Sequence, residues 1–576
     1  MPRRIARIAP LAAATFFLIA VRPAPAQSPG NTVDVQLLAF NDFHGNLEPP
    51  SGANGRIGSI DAGGVEYFAT HLARLKSNNP NTLIVAAGDL VGASPLLSGL
   101  FHDEPTIEAM NAVGLDVSSV GNHEFDEGWA ELYRMQHGGC HPVDGCRDHT
   151  PFAGAAFQYL SANVFVNPHK ADKILLDEAA VNVPGTGSRT LFPAYAVKEI
   201  GGVKIGFIGM TLKGTPQLVQ PTGVAGLTFK SEADTANKLI PILKKQQVRA
   251  IVVLVHEGGT PTGSDFNGCP GVSGAIVEIA DRIKDDVDVI VSGHTHQAYN
   301  CTFDKKLVTS AASFGRLITS IDLTIDRATD EVVSKTARNV IVTRDVPKSA
   351  SQTAILDRYR PLYEPIANKT VGTIARDITR APNTAGESGL GDVAADAILE
   401  ATRDGASGGA VLAFMNPGGI RADLTRTPAL RPDAPSPVSY SDVFNVHPFQ
   451  NRLVVKTFTG DTIRKVLEQQ FDNRAPDNDM MLQVSDGFTY SYVRTKPRGS
   501  RIDPPSMMLG GRRLDAKQKY RVAITDFLSD GGDNFTVFTQ GTEPFVAGAD
   551  VDALAAYIGR HSPAVPGPRN RIVASK

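Results

Sequence analysis

Short apolar runs recur through the first half of the chain, at residues 33–40, 83–87, 205–208, 251–255 and 287–291. Each has strand length and is rich in Val, Ile and Leu, which predicts buried strands. Between them, residues 106–113 and 233–245 read as helices. Alternating strand-like and helix-like segments predict an α/β layout.

The character of the chain changes at residues 346–368, where 350–363 reads as one isolated helix between two larger units. Helices are then expected at 390–403 and 463–471, and strands at 452–458 and 520–525, giving a second α/β or α+β unit. A chain of 576 residues is too long for one core at ~150 residues per domain. The expected organisation is a signal segment at 1–26, a first domain at 27–345, a connector helix at 346–368 and a C-terminal domain at 369–576.

The start of the chain has the three parts of an export signal. Arg3, Arg4 and Arg7 precede an apolar run at 8–21, and Ala24-Pro25-Ala26 offers small residues for cleavage. The run is shorter than the ~20 residues a membrane span needs, and no later run is long enough. The mature protein is therefore expected in the periplasm or secreted, with no stable membrane anchor. Cys140, Cys146, Cys269 and Cys301 form an even set, which in an exported chain favours disulfides. Three pairings are open, and loop proximity favours Cys140–Cys146 with Cys269–Cys301. Zinc held by these cysteines, with His137, His141 and His149 nearby, is the competing reading, although the spacing fits no ligand pattern. The net charge of −3 offers no basic field for nucleic acid but leaves small anionic substrates open.

The chemistry lies in the residues just past the strands. Residues 33–40 run into Asn41-Asp42-Phe43-His44-Gly45, and 83–87 into Gly88-Asp89. Residues 117–120 run into Gly121-Asn122-His123-Glu124, 251–255 into His256-Glu257-Gly258, and 287–291 into Ser292-Gly293-His294-Thr295-His296. The carboxyl ends of strands in α/β sheets are where ligands bind. Asp and Asn supply oxygen ligands and His supplies nitrogen, a set suited to Zn, Mn or similar divalent ions. Asp42 and His44 alternate along a segment expected to be extended, and His294 and His296 do likewise around an outward Thr295. Asp89 is the natural bridge, with one carboxylate oxygen for each of two metals. Ordinary turn residues with satisfied core histidines would be the bland alternative. Five of the chain's thirteen histidines fall in these elements beside Asp and Asn, which favours a metal site.

The order Asp-x-His, Gly-Asp, Gly-Asn-His-Glu, His, Gly-His-x-His resembles that of calcineurin-like metallophosphoesterases. The wording of the first, third and fifth elements is similar to their 5′-nucleotidase branch. The resemblance implies an N-terminal β-sandwich flanked by helices (α/β/β/α), a linker helix and a C-terminal 5′-nucleotidase domain. It implies one metal on Asp42, His44, Asp89 and His296, and a second on Asp89, Asn122, His256 and His294. His123 would be the catalytic histidine, oriented by Asp126, three residues on. Two such ions would leave the site net positive and supply a nucleophile from water near neutral pH.

In the second half, Asn416-Pro417-Gly418-Gly419-Ile420-Arg421 reads either as a phosphate grip or as a turn with a surface Arg. The resemblance makes Asn416 and Arg421 substrate contacts, Phe449 and Phe527 the two faces of a nucleobase sandwich, and Asp533 the ribose ligand. It also implies that the two domains meet through a hinge. Two positions depart from the animal members of the family. Asn46 stands where they have a phosphate-binding Arg, and the segment 386–392 lacks another. The expected activity is hydrolysis of nucleoside 5′-monophosphates. Cleavage of 2′,3′-cyclic nucleotides or of nucleotide sugars on the same fold is the nearest alternative, and a binding protein that has lost catalysis is a more distant one.

Overall fold

The computed structural model describes residues 30–167, 189–427, 431, 434–472 and 479–575. The expected export signal at 1–26 lies outside the described residues. The first half is built on two six-stranded sheets. One runs in the order Val332–Ile341, Leu317–Asp326, Thr32–Phe40, Thr82–Ala87, Val117–Ser119, Gln158–Leu160. The other runs Ala298–Phe303, Lys306–Ala311, Val289–Ser292, Ala250–His256, Val203–Thr211, Tyr195–Ile200.

Side-chain alternation explains why the apolar runs are nearly continuous. Val33, Val35, Leu37 and Ala39 point into a core shared with Phe207, Val252, Leu254 and Val289 of the facing sheet. Leu38 and Phe40 point the other way, onto Val65, Phe68 and Leu72 of helix Val65–Lys76. On the second sheet Ile251, Val253 and Val255 pack outward on Ala236, Leu239 and Leu243 of helix Glu232–Lys245. The central strands are thus covered on both faces and are apolar at most positions, while the edge strand Val332–Ile341 is largely exposed and polar. This is the α/β/β/α sandwich.

The strands that deliver the polar motifs are parallel within each sheet and end at matching levels. Thr32–Phe40, Thr82–Ala87 and Val117–Ser119 run together, with Ala87 opposite Ser119. Ala250–His256 and Val289–Ser292 do the same, with Val255 opposite Ser292.

Helix Ala350–Ala367 comes next and packs on helices Val65–Lys76, Leu96–Gly99 and Glu104–Val113, and also on Tyr440–Val446 of the second half. Its Tyr359 ring meets Phe101 edge-on at 4.8 Å. The second half carries a five-stranded sheet in the order Gln483–Val484, Leu412–Met415, Lys519–Thr525, Arg452–Thr459, Thr542–Ala549. Helix Gly389–Thr402 lies against it and against helix Asp550–Arg560.

Cys140 is bonded to Cys146, and Cys269 to Cys301, so no free cysteine remains. Zinc held by cysteine is thereby excluded, since no thiolate is left to ligate. Among the described residues no helix is long and apolar enough to cross a membrane.

Candidate active site

Asp42, His44, Asp89, Asn122, His256, His294 and His296 gather at the strand ends between the two sheets. Asp42 Oδ1 lies 3.2 Å from His296 Nε2 and 3.8 Å from His44 Nε2, and those two nitrogens are 3.0 Å apart. Asp89 Oδ2 lies 2.9 Å from His256 Nε2 and 3.5 Å from His44 Nε2. His294 Nδ1 faces Asn122 Oδ1 at 3.1 Å. The grouping Asp42, His44, His296 and the grouping Asp89, His256, His294 each bring their ligand atoms within 4.8 Å of one another.

Local backbone geometry differs from the expected extended alternation. Asp42, His44, Asp89, His294 and His296 all have positive φ, at 51°, 47°, 50°, 69° and 57°. The side chains converge because the chain leaves each strand in left-handed turns, not because alternate residues of an extended segment share a face. Thr295 does point away, donating to Gly259 O at 2.8 Å. Five non-glycine residues in this region, at ~1–3 kcal/mol each, are a strain that the surrounding packing must hold. Gly121 shows how tight that packing is, since a Cβ there would lie 2.2 Å from Asp89 Oδ1.

Asp89 stands between the two groupings. Its Oδ1 accepts the His123 amide at 2.9 Å, and its Oδ2 faces both His44 and His256.

The donor chemistry fits divalent cations. His44 Nδ1–H donates to Gly92 O at 2.8 Å, and His256 Nδ1–H to Ala87 O at 2.7 Å. Each imidazole therefore turns an Nε2 lone pair inward, the arrangement in which metal-ligating histidines are oriented from behind. His256 Nε2 is buried with no hydrogen-bond partner, and its short approach to Asp89 Oδ2 is not aligned for one. The triangle of Asp42 Oδ1, His44 Nε2 and His296 Nε2 has a centre about 2.0 Å from each corner, a zinc-to-ligand distance.

Charge follows the same logic. Burial holds His44 well below the usual imidazole range. Burial, reinforced by His256, brings His294 down to about 4. Both thus keep free lone pairs. Burial alone would raise Asp42 and Asp89, yet facing imidazoles hold both below the ordinary carboxylate range. For His256 burial is outweighed by Asp89 and Asp42, which lift it to about 10. A proton and a metal compete for that one lone pair.

His123 sits beside this cluster, its Nδ1 2.8 Å from Asp126 Oδ2. Burial disfavours its charged form, but Asp126 and Asp89 outweigh it and raise its pKa. From the second half, the Phe449 ring stacks on His123 at 5.8 Å between centroids, and the Arg421 guanidinium lies 6.0 Å from the Phe449 centroid. Arg421 is near enough to Asp126, Asp89 and Asp42 for all three to act on its charge. Asn416 Nδ2 donates to Asp533 Oδ2 at 2.8 Å, leaving Asn416 Oδ1 buried with no partner. Phe527 is half-buried against Gly532. Among the described residues no ring contact joins it to Phe449.

Two residues that the sequence reading passes over hold the cluster in place. Glu124 accepts three backbone amides, those of Asp89 at 3.0 Å, Leu90 at 2.7 Å and Gly121 at 2.6 Å. Burial and the neighbouring Asp89 raise its carboxyl to about 8. Asn41 donates to Asp42 Oδ2 at 2.6 Å and to Ala312 O at 2.7 Å, tying the first ligand to the opposite loop. Their signal is position alone, each being next to a ligand in a motif. Asn46 donates to Phe43 O and His44 O and so holds the His44 turn.

The family model for calcineurin-like phosphoesterase matches residues 35–298, and that for the 5′-nucleotidase C-terminal domain matches residues 365–540. The chain is 32% identical to cell wall protein Lmo0130 of Listeria monocytogenes, covering 92% of this chain and 68% of that protein. It is 30% identical to endonuclease YhcR of Bacillus subtilis, covering 92% of this chain but only 40% of that longer protein. A solved 5′-nucleotidase precursor from Thermus thermophilus superposes with a TM-score of 0.71 at 25% identity, covering 94% of this chain and 99% of that one.

Proposed function

The chain belongs to the 5′-nucleotidase family, metal-dependent phosphoesterases with a calcineurin-like domain, and from that membership we propose that it hydrolyses nucleoside 5′-monophosphates to nucleoside and phosphate. The observation that carries the reading is the meeting of Arg421 and Phe449, from the second half, with His123 and the carboxylates of the first half. A small phosphate ester with a flat, stackable group fits between such surfaces.

Asp42, His44, Asp89 and His296 would hold one divalent ion, and Asp89, Asn122, His256 and His294 the other. The ions are Zn, Mn or similar, and when bound they supply Lewis acidity and a nucleophile from water at neutral pH. Arg421 supplies a guanidinium fork for phosphate oxygens. His123, protonated and oriented by Asp126, stabilises charge on the phosphoryl group and gives its proton to the leaving 5′-oxygen. Asp126 holds the imidazole by its Nδ1, which directs Nε2 toward the substrate. Phe449 and Phe527 take the base, each stack contributing ~1–3 kcal/mol. Asn416 and Asp533 take the ribose, and Asn416 Oδ1 offers an acceptor ready for a ligand hydroxyl.

The organisation into a domain at 27–345, a connector at 346–368 and a domain at 369–576 belongs to the same proposal. So does export to the periplasm or beyond, which the two disulfides support.

The test is steady-state hydrolysis of AMP, 2′,3′-cyclic AMP and UDP-glucose with added Mn or Zn, for wild type and His123→Ala. The reading expects the highest kcat/KM on AMP, and a loss of turnover in the variant at unchanged metal content. Preference for a cyclic nucleotide or a nucleotide sugar would replace the proposed substrate. An unaffected His123→Ala would remove the assigned role of that residue.

A further inference from the structure

Two arms of the second half reach toward the first. One is the turn at 416–421, which carries Asn416 and Arg421, and the other is the turn after helix Tyr440–Val446, which carries Phe449. Hydrogen bonds join the arms at two points. The Arg421 amide donates to Val446 O at 2.9 Å. His447, the residue that closes the helix, turns its ring across the gap, and its Nδ1–H donates to Gly419 O at 3.0 Å. Its own amide stays with the helix, on Val443 O at 3.1 Å. The far end of the Phe449 turn is held as well. Asn451 O accepts the Asp550 amide at 2.9 Å, and Asn451 Nδ2 donates to Asp550 Oδ2 at 3.3 Å.

We propose that His447 is a positioning residue: by tying the Phe449 turn to the Gly419 carbonyl, it fixes the spacing between the base arm and the phosphate arm, and so favours substrates that touch both.

The ring suits this part. His447 is buried, where an apolar side chain would fill space without a polar group to satisfy. Burial brings its pKa down to about 4, so near pH 7 the ring is neutral and carries one proton. Gly419 O is an acceptor, which places that proton on Nδ1. Asp550 Oδ2 is 4.0 Å from the same nitrogen, too far for a hydrogen bond, so the proton goes to Gly419. The turn that receives it is close-packed. A Cβ on Gly419 would lie 2.4 Å from Met415 Cε and 3.0 Å from Asn416 Oδ1.

The role presupposes that Arg421 grips phosphate and Phe449 stacks on the base, as proposed above. A substrate that touches one arm can shift to meet it. A nucleotide held at both ends cannot, and gains from both contacts only when their spacing is right. Loss of the His447 bond therefore penalises a nucleotide and spares a phosphate ester that has no base.

The test is steady-state hydrolysis of AMP and of ribose 5-phosphate by the manganese-loaded full chain, with circular dichroism to check folding. The proteins are wild type, His447→Leu, His447→Gln, His447→Asn, Phe449→Ala, and His447→Leu combined with Phe449→Ala. His447→Leu should lose roughly tenfold in kcat/KM on AMP, mostly through KM, and at most about twofold on ribose 5-phosphate. In the Phe449→Ala background the same change should cost at most about twofold on AMP. His447→Asn, whose amide nitrogen falls where Nδ1 stands, should recover AMP hydrolysis to within about threefold of wild type, and His447→Gln, whose nitrogen falls where Nε2 stands, should not. A folded His447→Leu, or His447→Gln if the former does not fold, that loses the same factor on both substrates or nothing on AMP overturns the inference and leaves Arg421 and Phe449 in their roles. If Phe449→Ala itself costs nothing on AMP, the proposed base contact fails and this inference fails with it.

Discussion

Replacing Glu124 by Gln tests whether the backbone around Asp89 is held by one buried carboxylate. Oε2 of Glu124 takes the amides of Asp89 and Gly121, and Oε1 takes that of Leu90. Glutamine has one carbonyl. In its best orientation the oxygen serves Asp89 and Gly121, and its NH2 then faces the Leu90 N–H, donor against donor. One buried amide left unpaired costs about 1–3 kcal/mol. A loss of roughly 1–3 kcal/mol corresponds to a fall in Tm of roughly 2–5 °C for a folding unit of about 300 residues. Asp89 also loses its anchor, and a displacement on the order of 1 Å costs ~10²-fold in rate. Calorimetry and AMP hydrolysis under saturating metal measure both. A Glu124→Gln protein with Tm within about 1 °C of wild type and kcat within about twofold would refute the reasoning.

Asp126→Asn should move the alkaline limb of the pH–rate profile to lower pH. The Asp126 carboxylate raises His123, so its loss lowers the pH at which His123 gives up its proton. An unmoved limb would mean that His123 is not the group titrating. Gly121→Ala should abolish metal binding measured by equilibrium dialysis, because the new Cβ would sit 2.2 Å from Asp89 Oδ1. Full metal occupancy in that variant would show that the loop can yield. His102 is raised to about 9: burial lowers it, but Glu127 and Asp144 outweigh the burial. Its contribution to stability is therefore complete below about pH 6.5 and lost as pH rises toward 9. The stability difference between wild type and His102→Gln, followed by urea titration, should shrink across that window, and a constant difference would contradict the assignment.

Much of the first half was legible because its physics is local. Strands covered on both faces are apolar at most positions, so residues 33–40 and 251–255 stand out without any tertiary information. The motif residues stand out because each comes directly after such a run. What stayed hidden depends on geometry across the fold. The left-handed conformations of Asp42, His44, Asp89, His294 and His296 leave little trace in residue type, since glycine, the usual marker, stands beside these positions and not at them. The roles of Glu124 and Asn41 lie in backbone contacts that no spacing encodes. His102 and His141 are far apart in sequence and are joined only by the fold and the disulfide loop. The second half was harder to read because its sheet includes a strand as short as Gln483–Val484, which carries too few residues to show a period. The stacking of Phe449 on His123 joins two halves of the chain and was likewise invisible in either one.

The central claim is that seven side chains seat two divalent ions that share Asp89. Anomalous diffraction from crystals grown with zinc or manganese locates those ions directly. The account predicts two peaks in the cluster about 3.5–4 Å apart, both within bonding distance of the Asp89 carboxylate. A single peak there, or two peaks of which Asp89 touches only one, would contradict it.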